Sequence, residues 1–249
     1  MQTISINGKT IGDGHPTYII AEVGLAHQGD MRLAKRLIDA AKEAGADCVK
    51  FQKRSLSDLY KKDVLAKPEA QEHAQQYLLE HIVHNELSEK QMRELSAYAK
   101  KRGIDFAATP WDEKSMRFLN TLDMPFFKIG SPDMFNLPLL KKVARTGKPV
   151  IMSVGFASLV EIELAVKTLR QNGSSEIALL HCLTSYGSTP DLANANLKTI
   201  KDLETRFGVV AGFSDNNAGI ELPVKAVMAG WIEWGTATGF PAMIASTVS

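Results

Sequence analysis

Cysteine is scarce. The 249-residue chain has two, Cys48 and Cys182, each inside a strand-like apolar run. That excludes a disulfide scaffold and a cysteine zinc site, and predicts two reduced core residues in a cytoplasmic protein. Excess charge of either sign is also missing: 29 Lys and Arg stand against 28 Asp and Glu, with pI near 7.8 and no basic run. Nucleic acid is therefore not an expected partner, and any anion binding must be local. No apolar run reaches the ~20 residues of a membrane helix. The start, Met1-Gln2-Thr3-Ile4, lacks a charged segment followed by an apolar one, so no signal peptide is predicted. The glycines do not fall in the strand–glycine–helix order of a nucleotide fingerprint. What remains is a composition of 45% hydrophobic and 23% charged residues, that of an ordinary soluble globular protein.

The chain opens with alternating residues around Asn7-Gly8, which predicts a hairpin over about 1–15. Then apolar runs alternate with helical spacing. Strands are expected at Tyr18–Glu22, Cys48–Phe51, Ile104–Ala108, Phe126–Ile129, Val150–Ser153, Ile177–His181, Val209–Phe213 and Trp231–Trp234. Helices are expected over Met31–Ala44, with Asp30 as N-cap and Gly45 as stop, and over Ser88–Lys101, which opens on a capping box. Further helices fall at Glu113–Leu122, Leu137–Arg145, Leu159–Leu169, Leu197–Phe207 and near Ile220–Met228; Ser55–Asn85 is a polar insertion. Eight strands separated by helices predict one α/β domain over 1–249, a (β/α)8 TIM barrel with an N-terminal β-hairpin. A doubly wound open sheet is the alternative. The tail from about 235 to 249 has no caps and no charged face, so the closing helix is expected to be missing or incomplete.

In such a barrel the chemistry sits at the C-terminal strand ends. Glu22, Lys50, Gln52, Thr109, Lys128, Ser131, Ser153, His181, Ser214 and Asp215 all fall there. A lysine inside a strand as apolar as Phe127-Lys128-Ile129 should point at an anion. If the strand ends converge, Lys50, Lys128 and several hydroxyls make a phosphate and carboxylate site.

These residues lie in motifs that resemble the sialic acid synthases (the N-acetylneuraminate synthases and their legionaminate and pseudaminate relatives). The motifs are Ile20-Ala21-Glu22-Val23-Gly24 with His27-Gln28-Gly29, Val49-Lys50-Phe51-Gln52, Ala108-Thr109-Pro110-Trp111-Asp112, Phe127-Lys128-Ile129-Gly130-Ser131, Gly147-Lys148-Pro149 leading to Ser153, His181-Cys182 with Ser185-Tyr186, and Gly212-Phe213-Ser214-Asp215. Such enzymes condense phosphoenolpyruvate with an open-chain N-acyl amino sugar to a nonulosonic acid and phosphate, with C–O cleavage. The resemblance implies phosphoenolpyruvate binding by Lys50, Thr109, Lys128, Ser131, Ser153 and Ser214. It implies Glu22 as general base or as a ligand of a sugar hydroxyl, Gln52 and Asp133 on the sugar, and Tyr186 at its N-acyl end.

The family usually needs a divalent metal (manganese or magnesium) held by two histidines, and works as a domain-swapped dimer with a C-terminal antifreeze-like domain. Here the two histidine positions are Asn216 and Gly235, and no histidine follows His181. The usual metal site is therefore expected to be absent, as is the antifreeze-like domain; a homodimer is a possible partner state. Plainer readings stand beside these. Glu22 and Lys50 would pair as a structural salt bridge, His27 would cap a turn, His181 would be a satisfied core histidine, and His81 with His84 would be surface residues. Two other functions compete: a lyase forming a Schiff base on Lys128 or Lys50, and a non-catalytic anion-binding barrel.

Overall fold

The computed structural model describes residues 2–68, 79–183, 194–216, 221–232 and 243–247, with backbone alone for 228–232 and 243–247. The chain divides into two compact units, Met1–Ile20 with Pro125–Thr247, and Ala21–Met124.

Strands β1 (Thr3–Ile6) and β2 (Lys9–Gly12) form the antiparallel hairpin, paired Thr3↔Gly12 to Ile6↔Lys9. Its turn holds Asn7 at φ 48° and Gly8 at φ 80°, the left-handed pair that a tight hairpin requires. Alternation buries Ile4, Ile6 and Ile11 on one side, and the Ser5 amide donates to Glu176 Oε1 at 2.6 Å. Strand β3 (Tyr18–Gly24) follows, and the unit boundary falls within it.

In the unit Ala21–Met124, helix α1 (Met31–Glu43) starts where the Asp30 carboxylate accepts from the Arg32 and Leu33 amides, and buries Ala34, Ile38 and Ala41. Strand β4 (Cys48–Lys53) comes next. The polar insertion carries short helices α2 (Leu56–Leu59), α3 (Lys62–Ala66) and α4 (Leu79–Asn85). Helix α5 (Glu89–Arg102) opens on the expected capping box of Ser88 and Gln91. Strand β5 (Asp105–Pro110) and helix α6 (Glu113–Leu119), N-capped by Asp112, complete the unit. The strand order is β5-β4-β3, with β4 and β5 parallel from Cys48↔Asp105 to Lys53↔Pro110.

In the other unit, β6 (Phe127–Ile129) is followed by a 3-10 turn (Ser131–Phe135) and helix α7 (Leu137–Ala144). Then come β7 (Val150–Ser153), α8 (Leu159–Gln171) with a second capping box at Ser158, β8 (Ile177–Leu183), α9 (Thr199–Phe207) and β9 (Val210–Asp215). Helix α10 (Glu221–Ile232) and β10 (Met243–Thr247) end it. The order β10-β9-β8-β7-β6 is parallel throughout. Every residue of β7 and β9 is buried, as expected for a parallel sheet covered on both faces. Each buried Val, Leu, Ile or Phe there contributes about 1.5–3 kcal/mol relative to exposure.

One element differs from the sequence expectation. Trp231 and Ile232 form the last turn of α10 rather than an eighth strand, and β10, inside the tail, takes that place beside β9. The run Ala226 to Ile232 is apolar without alternation, so its aromatic and branched residues fit a helix end as well as a strand.

Candidate functional site

Residues two apart along a strand share a face, and parallel partners in register share it too. In the unit Met1–Ile20 with Pro125–Thr247, the register Lys128↔Ile151, Ser153↔Leu180 and Cys182↔Ser214 therefore puts Lys128, Ser153, Cys182 and Ser214 on one face of the sheet. All but Cys182 are nearly inaccessible. Lys128 is 5% exposed, and its Nζ donates to Ser153 Oγ at 2.6 Å and to the Ile129 carbonyl at 3.0 Å. Neither partner is charged. Burial pulls its pKa from 10.5 down to about 8, and the neighbouring Cys182 sulfur pulls it back up in part. A lysine ammonium buried without a carboxylate beside it is costly unless an anion comes to it.

Ser131, at the start of the 3-10 turn, accepts from the Gly155 amide at 3.0 Å. A methyl group on Gly155 would lie 3.1 Å from Ser131 Oγ and 3.3 Å from Cys182 Cβ, so a side chain there would press on the face carrying Lys128. Asp133 is half-buried in the same turn and accepts from Asn136 Nδ2 at 3.4 Å, while Asn136 caps α7. Ser214 is buried next to Asp215 at the end of β9. His181 points elsewhere: its Nε2 meets the Ala195 carbonyl at 2.9 Å and its ring lies 5.8 Å from that of Phe213. Burial lowers its pKa. This is the arrangement of a satisfied core histidine. Cys182, expected in the core, is half-buried on the Lys128 face instead.

In the unit Ala21–Met124 a second polar group forms. The Lys50 ammonium pairs with Glu22 Oε2, and both side chains are largely shielded from water. Gln52 Nε2 donates to Glu22 Oε1 at 3.2 Å. The register Lys50↔Ala107 and Gln52↔Thr109 brings the buried Thr109 beside Gln52 on the same face. Gly24 has φ 52°, and a Cβ there would sit 3.2 Å from Glu22 Oε1 and 3.4 Å from Gln52 Nε2. Only a glycine meets both demands without strain. Beyond them Arg54, 3% exposed, donates through Nη2 to Gln52 Oε1 at 2.5 Å and stacks 4.4 Å over the Trp111 ring. Arg54 was not a candidate from sequence. The available signal was its place two residues past Gln52, which continues the Lys50–Gln52 alternation. His27 is 2% exposed, accepts from the Gly29 amide at Nδ1 (3.0 Å) and stacks on Phe51. Burial takes its pKa from 6.5 to about 4, with a hydrogen bond to the Gly24 backbone opposing.

Among the described residues no three His, Cys, Asp or Glu side chains gather. Asn216 turns its amide nitrogen, a donor, toward the Leu183 carbonyl at 2.9 Å and Cys182 Sγ at 3.5 Å. His81 and His84 are exposed on α4, with His84 Nδ1 against the Glu80 carbonyl. Tyr186 and Gly235, also named from sequence, lie outside the described residues.

The family model described as the NeuB family matches residues 37–233. An uncharacterized protein of Methanocaldococcus jannaschii is 44% identical over 230 residues, covering 92% of this chain and 64% of its own length. The N-acetylneuraminate-9-phosphate synthase of Homo sapiens is 39% identical over 228 residues, covering 90% of this chain and 62% of its own length. The chain thus spans less than two thirds of either curated relative. Among solved structures, the N-acetylneuraminic acid (sialic acid) synthetase of Leptospira borgpetersenii serovar Hardjo-bovis, in complex with citrate, superposes with TM-score 0.84 at 32% identity. It covers all of this chain and 78% of its own. A truncated 3-deoxy-D-arabino-heptulosonate 7-phosphate synthase of Thermotoga maritima, TM-score 0.69 at 16% identity, shares the fold alone. The fold class is the (β/α)8 barrel class expected from the order of strands and helices. No helix among the described residues is long and apolar enough to cross a membrane.

Proposed function

Because the chain belongs to the NeuB family, we propose that it condenses phosphoenolpyruvate with an N-acyl amino-sugar aldehyde to give a nonulosonic acid and phosphate. One observation carries this reading: Lys128 is a buried ammonium whose described partners, Ser153 Oγ and the Ile129 carbonyl, are both neutral. An anion is the missing partner such a group suits, and phosphoenolpyruvate is close to trianionic. Lys50 differs, since Glu22 already compensates it. Ser131, Ser153 and Ser214, in the same unit as Lys128, offer hydroxyls to phosphate or carboxylate oxygens, where charge-assisted hydrogen bonds are the strong ones.

The reaction balances as phosphoenolpyruvate plus aldehyde plus water. The enol carbon attacks the aldehyde carbon, and water adds to the resulting cationic carbon. Glu22 receives the proton that water loses, and in net balance that proton ends on the former aldehyde oxygen. The tetrahedral carbon then becomes the ketone as its C–O bond to phosphate breaks, and its hydroxyl proton leaves with the phosphate. Bond formation is mainly a positioning problem, the role assigned to Gln52, Asp133 and Tyr186 on the sugar. A placed carboxylate contributes typically ~10²–10⁴-fold. The pKa of Lys128 near 8 favours one rival reading, a Schiff-base lyase, because a tenth or so of the amine is neutral at pH 7. Borohydride with pyruvate separates them. No adduct is expected, and a covalent adduct on Lys128 would establish the lyase. Raised melting temperature with phosphoenolpyruvate, lost in Lys128→Ala, is the matching positive result.

A further inference from the structure

We propose that Arg54 is a positioning residue: its guanidinium holds the Gln52 amide with the oxygen inward and the NH2 toward Glu22, and thereby sets the end of the site that receives the acceptor sugar. The part about the sugar rests on the condensation reading above; the part about Gln52 stands on geometry alone. A primary amide can flip, presenting either oxygen or nitrogen to a neighbour. Gln52 lies between a group that only donates and a group that, ionised, only accepts. Arg54 Nη2 meets Gln52 Oε1 at 2.5 Å, and Gln52 Nε2 meets Glu22 Oε1 at 3.2 Å. Each contact favours the same orientation, and only the two together hold the amide fixed.

Arg54 itself is held on three sides. Its guanidinium stacks on Trp111 at 4.4 Å. Its amide donates to Glu86 Oε1 at 3.0 Å, and its carbonyl accepts from Lys53 Nζ at 3.0 Å. Lys53 in turn pairs with Glu86 and donates to the Leu87 carbonyl at 2.8 Å, so the loop after β4 is clamped to the end of the polar insertion. A planar fork with a stacked face can hold an amide this way; a lysine, a point charge on a flexible stem, cannot. Arg54 therefore acts through Gln52.

The test is a double-mutant cycle on the full chain, read two ways. In steady-state assays Arg54→Ala is expected to raise the KM for the amino sugar by about 10- to 100-fold while the KM for phosphoenolpyruvate moves less than about threefold. That effect should vanish in a Gln52→Ala background. Equal losses in both backgrounds, or a rise in both KM values together, would mean a merely structural arginine and would overturn the proposal. The second reading needs no turnover: the side-chain amide signal of Gln52 in a ¹H–¹⁵N spectrum, assigned by its loss in Gln52→Ala, should move to the position of a free, fast-exchanging amide in Arg54→Ala. An unmoved signal overturns the proposal even if kinetics change. Arg54→Lys, which keeps the charge, carries the same expectations and serves if Arg54→Ala does not fold. Wild-type protein silent toward every sugar would defeat the condensation reading, while the amide signal would still decide the role of Arg54.

Discussion

Replacing Lys128 by methionine should leave the protein at least as stable and yet blind to phosphoenolpyruvate. Burial takes the lysine pKa from 10.5 to about 8. At about 1.36 kcal/mol per unit, keeping that ammonium in the fold costs on the order of 3 kcal/mol. The sign follows from proton binding. Between pH 8 and 10.5 the unfolded chain holds the proton that the folded chain has released, so stability rises with pH through that window. Below pH 8 the whole cost is present. Methionine has similar length and no charge, and removes the cost. It also strips Ser153 Oγ of its 2.6 Å partner, and a buried hydroxyl left unpaired costs about 1–3 kcal/mol. The net is a gain of about 0–2 kcal/mol. At roughly 2–4 °C per kcal/mol for a chain of this size, the melting temperature at pH 7 should hold or rise by up to about 8 °C. Loss of a buried charge partner should weaken phosphoenolpyruvate binding by about 10²-fold or more. Scanning fluorimetry with and without phosphoenolpyruvate reads both. A melting temperature more than about 4 °C below wild type, or an intact ligand shift, would refute the idea of an ammonium held ready for an anion.

Glu22→Gln should behave in the opposite way. It leaves the shielded Lys50 ammonium without its carboxylate, so stability should fall by about 3 kcal/mol, and an unchanged urea midpoint would refute the pairing. His27, with its pKa lowered from 6.5 to about 4, is protonated first in the unfolded chain, so stability should fall as pH drops from 6.5 toward 4. The loss amounts to about 3 kcal/mol in full, and His181 adds to it in the same direction. His27→Gln should flatten that acid limb in urea titrations, and an equally steep limb would contradict the assignment. Gly155→Ala, with its methyl 3.1 Å from Ser131 Oγ, should cost about 1–3 kcal/mol and weaken phosphoenolpyruvate binding; full affinity would show that Ser131 takes no part.

Much of this was legible in the residues because the physics is local. Ser88 with Gln91, and Asp30 before Met31, announce helix starts that the backbone then makes, since capping needs only neighbours a turn away. The period of two put Lys50 with Gln52, and parallel register then put Lys128 with Ser153 and Ser214. Trp231 and Ile232 were not legible: a short apolar run carries the same signal at a helix end as in a strand. The Glu22–Lys50 pair was among the plainer readings of the sequence and the structure makes it, though spacing alone did not choose it. That depends on Glu22 being the neighbour of Lys50 in the sheet, a contact across 28 residues of chain. Arg54 was hidden for a related reason, because its meaning comes from Gln52 on one side and Trp111, 57 residues on, at the other.

Phosphate release from phosphoenolpyruvate, followed with a panel of N-acyl mannosamine-type sugars with and without manganese, bears most directly on the proposed condensation. Release that requires a sugar, yields a keto acid in equal amount and vanishes in Lys128→Met is the expected outcome. Phosphoenolpyruvate bound tightly but never cleaved, with any sugar and in either metal condition, would make this a barrel that holds the anion and does no chemistry on it.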